Sequence, residues 1–288
     1  MYAITGITGR VGGAAARALL ESGEPVRAVM RNAAKAGPWS KLGCEIAIAD
    51  MKDASALAEA FQGADGVFIV PPPEFDPQPG FPEAQAVTVA VKDALKRART
   101  NNVVVLSTIG AQATQPNLLT MRTLMEKALG ELPMPMTFLR PAWFMENFAW
   151  DAAPARDEGL IASFLQPLDK PFPMIATVDV GRQAAKLLTE KYQGRRIVEQ
   201  EAAERYTPND VAATFAKILG RPVQAEVVPR ESWEALFKSQ GMKHPTPRMQ
   251  MLDGFNEGWI EFEGASETRV KGTTPLEAVL KDLVEASE

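Results

Sequence analysis

The chain opens with a strand-like segment that runs directly into three evenly spaced glycines. The stretch YAITGITGRVGG places Gly6, Gly9 and Gly12 after an apolar strand and at the start of a helix-like segment. In such a strand–turn–helix unit, the first glycine permits a tight turn, the second lets the backbone approach a pyrophosphate, and the third lets the helix pack closely on the sheet. The N–H groups and the dipole at the helix start then favour an anion. The motif predicts dinucleotide binding, with a purely structural glycine turn as the alternative.

The segments that follow continue the same alternation. Short apolar runs such as PVRAVMR, DGVFIV and NVVVLST alternate with longer helix-like stretches as far as Trp150. This alternation predicts right-handed βαβ units around a parallel sheet, and strands that are apolar throughout indicate helices on both faces. We therefore predict an α/β fold: a doubly wound Rossmann domain over residues 1–150 and a smaller C-terminal α+β substrate lobe over residues 151–288. Residues 176–200 are expected to return to the first domain.

Two helix starts can be placed from their capping residues. Thr207, Pro208 and Asp210 have the pattern of an N-terminus, and Gly220 follows as a stop signal. Asp53 is the expected N-cap of the helix that follows the third strand. These signals predict helices over residues 208–219 and from residue 54 onwards.

Composition limits the partners and the compartment. The formal net charge is −5, which argues against a nucleic-acid binder, and a single cysteine, Cys44, excludes a disulfide within the chain. No apolar run has the length of a membrane span, and the opening residues do not have the pattern of a signal peptide. We expect a cytoplasmic protein without nucleic-acid or membrane partners, and a homodimer is one further expectation.

The residues after the second strand bear on the choice of dinucleotide. An NAD enzyme tends to place Asp or Glu at the end of this strand, whereas this chain has Met30 and Arg31, with Lys35 nearby. A cation there suits the 2′-phosphate of NADP(H), and a solvated basic turn is the alternative. Asp50, after the third strand, is expected beside the adenine pocket.

Several stretches together resemble the NmrA-like group of atypical short-chain dehydrogenases/reductases. The resemblance rests on ITGITGRVGG, VMRNAAK, ADMKD, VVLSTIGA, MEKALGELPMPMTFLRPAWFMENF, VDVGRQAAKLL and YTPNDVAATFAKILGRPV, which occur in order to about residue 225. The group includes NADPH-dependent quinone and azo-dye reductases, and also redox-sensing regulators that bind NADP without turnover. The resemblance thus implies a Rossmann fold with a smaller substrate lobe and NADP(H) as cofactor.

The resemblance also implies roles for individual residues. It assigns the 2′-phosphate to Arg31, and the adenine side to Asp50 and Met51. The pyrophosphate is assigned to Gly6, Thr8, Gly9, Arg10, Val11 and Gly12, and the nicotinamide side to Val70, Pro71, Thr108, Ile109 and Pro141.

The usual catalytic tyrosine of short-chain dehydrogenases is missing. Those enzymes use Tyr-x-x-x-Lys, in which the Tyr is the proton donor. If Glu126 is aligned with the helix Glu that follows this motif, Leu118 stands at the Tyr position and Arg122 at the Lys position. Arg122 is a candidate for holding ribose hydroxyls, with an exposed helix arginine as the alternative and Lys127 as the substitute in another register. No catalytic residue can therefore be assigned, and no metal site is indicated by His/Cys spacing.

Other polar residues near the predicted site have weaker cases. Ser107 and Thr108 end a strand where Rossmann ligands sit, although they would equally serve to hydrogen-bond the loop backbone. His244, the only histidine, could donate a proton, but a surface loop is the better interpretation.

Aromatic residues are the last candidates for substrate contact. The segment WFMENFAW, together with Phe75 and Phe81 from the proline-rich residues 71–83, could stack a flat substrate or could pack in the core.

Two functions are compatible with these observations. The first is an NADPH-dependent reductase that transfers hydride directly to a flat, electron-poor, aromatic small molecule of the quinone or azo type. The second is an NADP(H)-sensing regulator that acts through partner binding. The compact length favours the reductase, whereas the missing tyrosine favours the sensor.

Overall fold

The computed structural model describes residues 1–287. Between residues 1 and 141, strands and α-helices alternate. In chain order they are β1 (Tyr2–Ile4), α1 (Arg10–Glu21), β2 (Val26–Met30), α2 (Gly37–Lys41), β3 (Glu45–Ile48), α3 (Ala54–Phe61), β4 (Gly66–Ile69), α4 (Pro82–Ala98), β5 (Val103–Leu106), α5 (Thr120–Leu129) and β6 (Met136–Pro141).

The second half of the described chain is less regular. Its elements are β7 (Trp143–Phe144), α6 (Ala152–Asp157), β8 (Leu160–Ser163), β9 (Met174–Ile175), α7 (Thr177–Thr189), β10 (Arg195–Ala202), α8 (Pro208–Leu219), β11 (Gln224–Val227), α9 (Trp233–Ser239), α10 (Thr246–Glu257), β12 (Val270–Gly272) and α11 (Leu276–Glu285). Helices α2, α6, α10 and α11 were not predicted from the sequence.

An eight-stranded parallel sheet forms the centre of the molecule. Its strands lie in the order β12-β10-β6-β5-β4-β1-β2-β3, and their pairings are all parallel. This arrangement confirms the predicted doubly wound Rossmann fold. The chain leaves β1 towards β2 on one side and later returns to β4 on the other, so the switch point lies between β1 and β4. Open sheets of this type bind ligands in the crevice above that point.

Both faces of the sheet are covered, as the apolar strands predicted. Ile4 and Phe68 point into a buried cluster that includes side chains of α1 and α7. Their neighbours Ala3 and Val67 belong to a second cluster formed with α3, α4 and α5. Alternate residues of one strand therefore reach different cores, which explains why the strands lack a polar face.

The two predicted helix starts are confirmed. The Asp53 carboxylate caps α3 by accepting from the N–H groups of Ser55 and Ala56. Thr207 and Asp210 form a reciprocal capping box at α8, and Gly220 ends that helix with a φ of 64°. Local hydrogen-bonding chemistry was sufficient to place both starts.

Strands from the second half extend the sheet. β10 pairs with β6 along most of its length, and β12 pairs with the end of β10. Helix α7 packs against α1 so closely that a Cβ on Gly181 would lie 2.7 Å from the Ala15 nitrogen and 2.8 Å from the Val11 oxygen. Since the sheet and its covering helices include residues from far along the chain, the division near residue 150 stays a prediction.

The described residues contain no helix that is both long enough and apolar enough to cross a bilayer.

Candidate cofactor cleft

The glycine-rich turn between β1 and α1 is shaped by two of its three glycines. Gly6 has a φ of +60°, which L side chains rarely adopt, and its carbonyl accepts from the Gly9 N–H at 2.9 Å. A Cβ on Gly12 would lie 2.7 Å from the Gly6 carbonyl carbon, closer than real Cβ atoms come. Gly12 therefore lets α1 pack against the turn itself.

Gly9 faces outwards. A Cβ there would meet only the Gly6 oxygen, at 3.3 Å, so the protein interior does not require glycine at this position. Gly9 is the N-cap of α1, has no side-chain cap, and is followed by a first turn without acidic residues. The first N–H groups of a helix have no intrahelical acceptor and attract anions. An exposed backbone surface with these donors fits a pyrophosphate group.

A cleft of about 490 Å³ lies beside this turn, above the carboxyl ends of β1 to β4. Nine of the sequence-predicted residues line it: Gly6, Thr8, Gly9, Arg31, Asp50, Met51, Val70, Pro71 and Arg122. Seven do not: Arg10, Val11, Gly12, Lys35, Thr108, Ile109 and Pro141.

Of the residues expected on the nicotinamide side, Val70 and Pro71 line the cleft, whereas Thr108, Ile109 and Pro141 are separate from its lining. Ile109 is buried and donates its N–H to the Pro141 carbonyl at 2.9 Å, and Thr108 is half-buried next to it. They lie on the ends of β5 and β6, further along the same edge of the sheet. Their contact with a cofactor remains a prediction.

Two cationic side chains that follow neighbouring strands, Arg31 and Lys52, line the cleft. Arg31 is exposed and makes no hydrogen bond or ion pair with any residue between 1 and 287. Lys52 lines the same cleft, and its ammonium group lies 2.8 Å from a Glu83 carboxylate oxygen. The hydrogen bond and charge of Glu83 raise the pKa of Lys52, whereas the nearby Arg31 cation acts to lower it. Lys52 and Glu83 were not among the site residues predicted from the sequence, although Lys52 directly follows the predicted Met51.

The proline loop, residues 71–83, forms another wall. Arg122 donates to the Pro72 carbonyl at 3.3 Å, and burial lowers the pKa of its guanidinium to about 10. Burial raises the pKa of the Glu74 carboxyl, the charge of Glu83 raises it further, and Arg122 opposes both. No hydrogen bond or ion pair joins Glu74 to Arg122 in the described chain. The two opposite charges therefore both line the cleft without forming a contact across it.

The same loop is fastened to the C-terminal half. The Asp76 carboxylate accepts from the N–H groups of Lys243 at 2.8 Å and His244 at 2.6 Å. Burial acts to raise the pKa of Asp76, but these two bonds and the nearby cationic side chains outweigh it and lower the pKa. His244 thus contributes its backbone N–H here, and its side chain makes no hydrogen bond within residues 1–287.

The residues around Leu118, the position that the sequence alignment gave to the tyrosine, have structural partners. Leu118 is buried in the core. Ser107 donates its hydroxyl to Glu126, which also accepts from Arg140 at 2.9 and 2.7 Å. Glu126 therefore holds the end of β5 to β6, and the Ser107 hydroxyl is engaged in this network. None of the tyrosines is among the cleft-lining residues of the described chain.

The aromatic segment after β6 is not gathered at the cleft. Trp143 packs edge-on against Phe255 with ring centres 5.2 Å apart, and Met145 is fully buried. Trp150 and Phe75 are instead 88% and 65% exposed. Core packing explains Trp143 and Met145, and none of these side chains lines the cleft.

Several known proteins with a related sequence or fold are named as reductases or oxidoreductases. Residues 2–269 match the sequence model of the NmrA-like family. The NAD(P)H azoreductase of Xenophilus azovorans is 27% identical over 260 residues, covering 89% of this chain and 85% of the relative. Quinone oxidoreductase 2 of Escherichia coli (strain K12) is 25% identical over 244 residues, covering 84% and 82%.

Solved structures agree with the fold. An Escherichia coli NADPH-dependent quinone oxidoreductase, crystallised with NADPH, superposes with a TM-score of 0.82 at 23% identity over 98% of this chain and 99% of the other. The triphenylmethane reductase of Citrobacter sp. superposes with a TM-score of 0.81 at 20% identity over 99% of each chain.

Proposed function

This chain belongs to the NmrA-like family, as its motifs predicted, and we propose that it is an NADPH-dependent reductase of flat, electron-poor acceptors of the quinone or azo type. The observation that carries the proposal is that an outward-facing Gly9, at an uncapped helix start, and the unpaired Arg31 line the same cleft. The named reductases among the relatives, which span more than four-fifths of this chain, support the reaction class.

The cleft residues fit the cofactor that this family implies. Gly9 leaves room for a phosphate group, and the α1 amides would hold it. Arg31 would pair with the 2′-phosphate, and Arg122 would donate to ribose hydroxyls. When bound, NADPH supplies the hydride. Asp50 and Met51 are proposed to border the adenine.

The chain itself contributes binding and orientation rather than proton transfer. The Tyr position is occupied by the buried Leu118, and the Ser107 hydroxyl is already bonded to Glu126. A quinone that has gained a hydride takes its proton from water without needing a resident acid. We propose that solvent supplies this proton at the open cleft, and that the acceptor stacks above Val70 and Pro71.

NADPH oxidation, followed by the loss of reduced-nicotinamide absorbance against quinones, azo dyes and aldehydes, tests the proposal. We expect turnover of quinones and azo dyes but not of aldehydes, which need a proton donor. Tight NADPH binding without turnover of any acceptor would overturn the reductase and favour the NADP(H)-sensing regulator. A cytoplasmic location and a homodimer remain predictions.

A further inference from the structure

We propose that Lys52, released from Glu83, is a second cation for the 2′-phosphate of NADPH, so that the Lys52–Glu83 ion pair sets the preference for NADPH over NADH. This inference rests on the proposed NADPH-dependent function and adds a residue that determines cofactor specificity. It also replaces Lys35, which the sequence suggested for this region.

The two cations come from neighbouring strands. Arg31 follows β2 and Lys52 lies beyond the end of β3, and these strands pair side by side up to Met30 and Ile48. The Asp50 carboxylate accepts the Lys52 N–H at 2.9 Å, which fixes the backbone of the turn. Both side chains line the same cleft. The fold therefore brings two positive charges to one place from positions 21 residues apart in sequence.

Only one of these two cations, Lys52, forms an ion pair within the described residues. Glu83 raises the pKa of Lys52, the Asp50 charge raises it further, and the nearby Arg31 cation acts to lower it. Glu83 offsets only one of the two cations, through its 2.8 Å contact with Lys52. A phosphate monoester carries about −1.5 to −2 charges near pH 7 and offers three acceptor oxygens. It can satisfy both cations, whereas Glu83 carries a single charge.

The ion pair between Glu83 and Lys52 can break at little cost in free energy. Glu83 lies in the first turn of α4, where a carboxylate is stabilised by the helix dipole without any partner. Its side chain is 59% exposed and that of Lys52 is 51% exposed, so separating the pair leaves neither charge buried. Surface ion pairs of this kind are weak. NADH lacks the 2′-phosphate that would compete with Glu83, so the Lys52–Glu83 pair stays closed.

Lys35 does not share this placement. It ends a short 3₁₀ turn, Ala33–Lys35, is exposed, and does not line the cleft. Although Lys35 is closer to Arg31 in sequence, Lys52 is the lysine that the fold places beside the cleft.

Calorimetric titration of the full chain with NADPH and NADH tests the proposal. We expect Lys52→Met to weaken NADPH binding about tenfold, the scale of one charge-assisted bond, and to change NADH binding less than about twofold. Glu83→Gln should tighten NADPH binding roughly threefold by removing the competing carboxylate, and this gain should vanish in the Lys52→Met background. Lys41→Met, which removes an exposed lysine outside the cleft, is the control for net charge.

The possible results separate this inference from the function it rests on. An unchanged NADPH-to-NADH affinity ratio in Lys52→Met overturns it, as does a ratio that falls in Lys35→Met but not in Lys52→Met. If the wild type binds NADPH and Lys52→Met loses the preference but no acceptor is reduced, the reductase proposal fails while the inference stands. If the wild type does not bind NADPH, both fail. Circular dichroism melting of each variant confirms that it is folded.

Discussion

The outward-facing Gly9 and the inward-facing Gly12 should respond differently to an added side chain. At Gly9 the φ is −92° and a Cβ would meet only the Gly6 oxygen, at 3.3 Å. Gly9→Val should therefore cost less than about 1 kcal/mol of folding free energy, the scale of an unfavourable N-cap residue. The valine side chain would nevertheless occupy the space needed by the pyrophosphate. We expect NADPH binding to fall at least a hundredfold.

At Gly12 an added side chain would clash with the protein's own backbone. A Cβ would lie 2.7 Å from the Gly6 carbonyl carbon and 3.0 Å from the Ile7 nitrogen, and neither atom belongs to a flexible side chain. Forcing extra volume into a packed site costs about 1–3 kcal/mol. For a chain of this size, Gly12→Ala should lower the melting temperature by roughly 2–5 °C and also weaken NADPH binding.

Scanning calorimetry and NADPH titration on the two variants provide the assay. Gly37→Ala is the control, because a Cβ there would meet nothing within 4 Å. A folded Gly9→Val variant that binds NADPH within about tenfold of the wild type would refute the assignment of the pyrophosphate to this turn. Unchanged melting of Gly12→Ala would refute the packing explanation.

Four other predictions concern the cofactor, the proton and stability. Arg31→Ala should weaken NADPH binding by about 1.5–3 kcal/mol and leave NADH binding nearly unchanged, as measured by calorimetry; tighter NADH than NADPH binding in the wild type would contradict it. Arg122→Ala should raise the KM for NADPH more than it lowers kcat, since it removes ribose binding; steady-state kinetics with the opposite pattern would assign it a role in the chemistry. Acceptor reduction should show a shallow pH profile, and a sharp optimum abolished by changing Ser107 or His244 would reveal a proton donor. Burial raises the pKa of the Asp151 carboxyl to about 7, so the folded state binds this proton more tightly than the unfolded state and loses stability as the pH rises from about 4 to 7. Asp151→Asn should therefore stabilise the protein by about 1–3 kcal/mol near pH 8 and much less near pH 4, and equal melting shifts at both pH values would show that the carboxyl is not responsible.

The sequence predictions that were confirmed depended on local sequence patterns. The glycine spacing, the apolar strands and the caps at Asp53 and Thr207 each depend on a few adjacent residues. The contacts that complete the cleft depend on distant ones. Glu83 meets Lys52 across 31 positions, and Asp76 meets His244 across 168. Neither pairing leaves a periodic pattern in the sequence, and tertiary structure alone brings the partners together.

Two missed helices show different reasons for failure. In α10, Gly254 resembles a helix breaker, but a Cβ there would lie 2.7 Å from the Ile260 and Trp259 side chains, which pack closely against the helix at this position. In α11, the buried residues Leu276, Val279, Leu280, Leu283 and Val284 follow helical spacing. That pattern was available in the sequence. The first miss reflects tertiary packing, and the second was avoidable.

The order of strands in the sheet has a consequence for biosynthesis. β6 has β10 as its outer neighbour, yet β10 begins 54 residues after β6 ends, and β12 follows later still. When β6 has just been synthesised, its outer edge is therefore unpaired and apolar. Unpaired strand edges of this kind promote aggregation of nascent proteins. The cleft lining, in contrast, comes entirely from residues 5–125. The residues that line the cleft are therefore all synthesised before β10 and β12, the strands that cover this edge of the sheet.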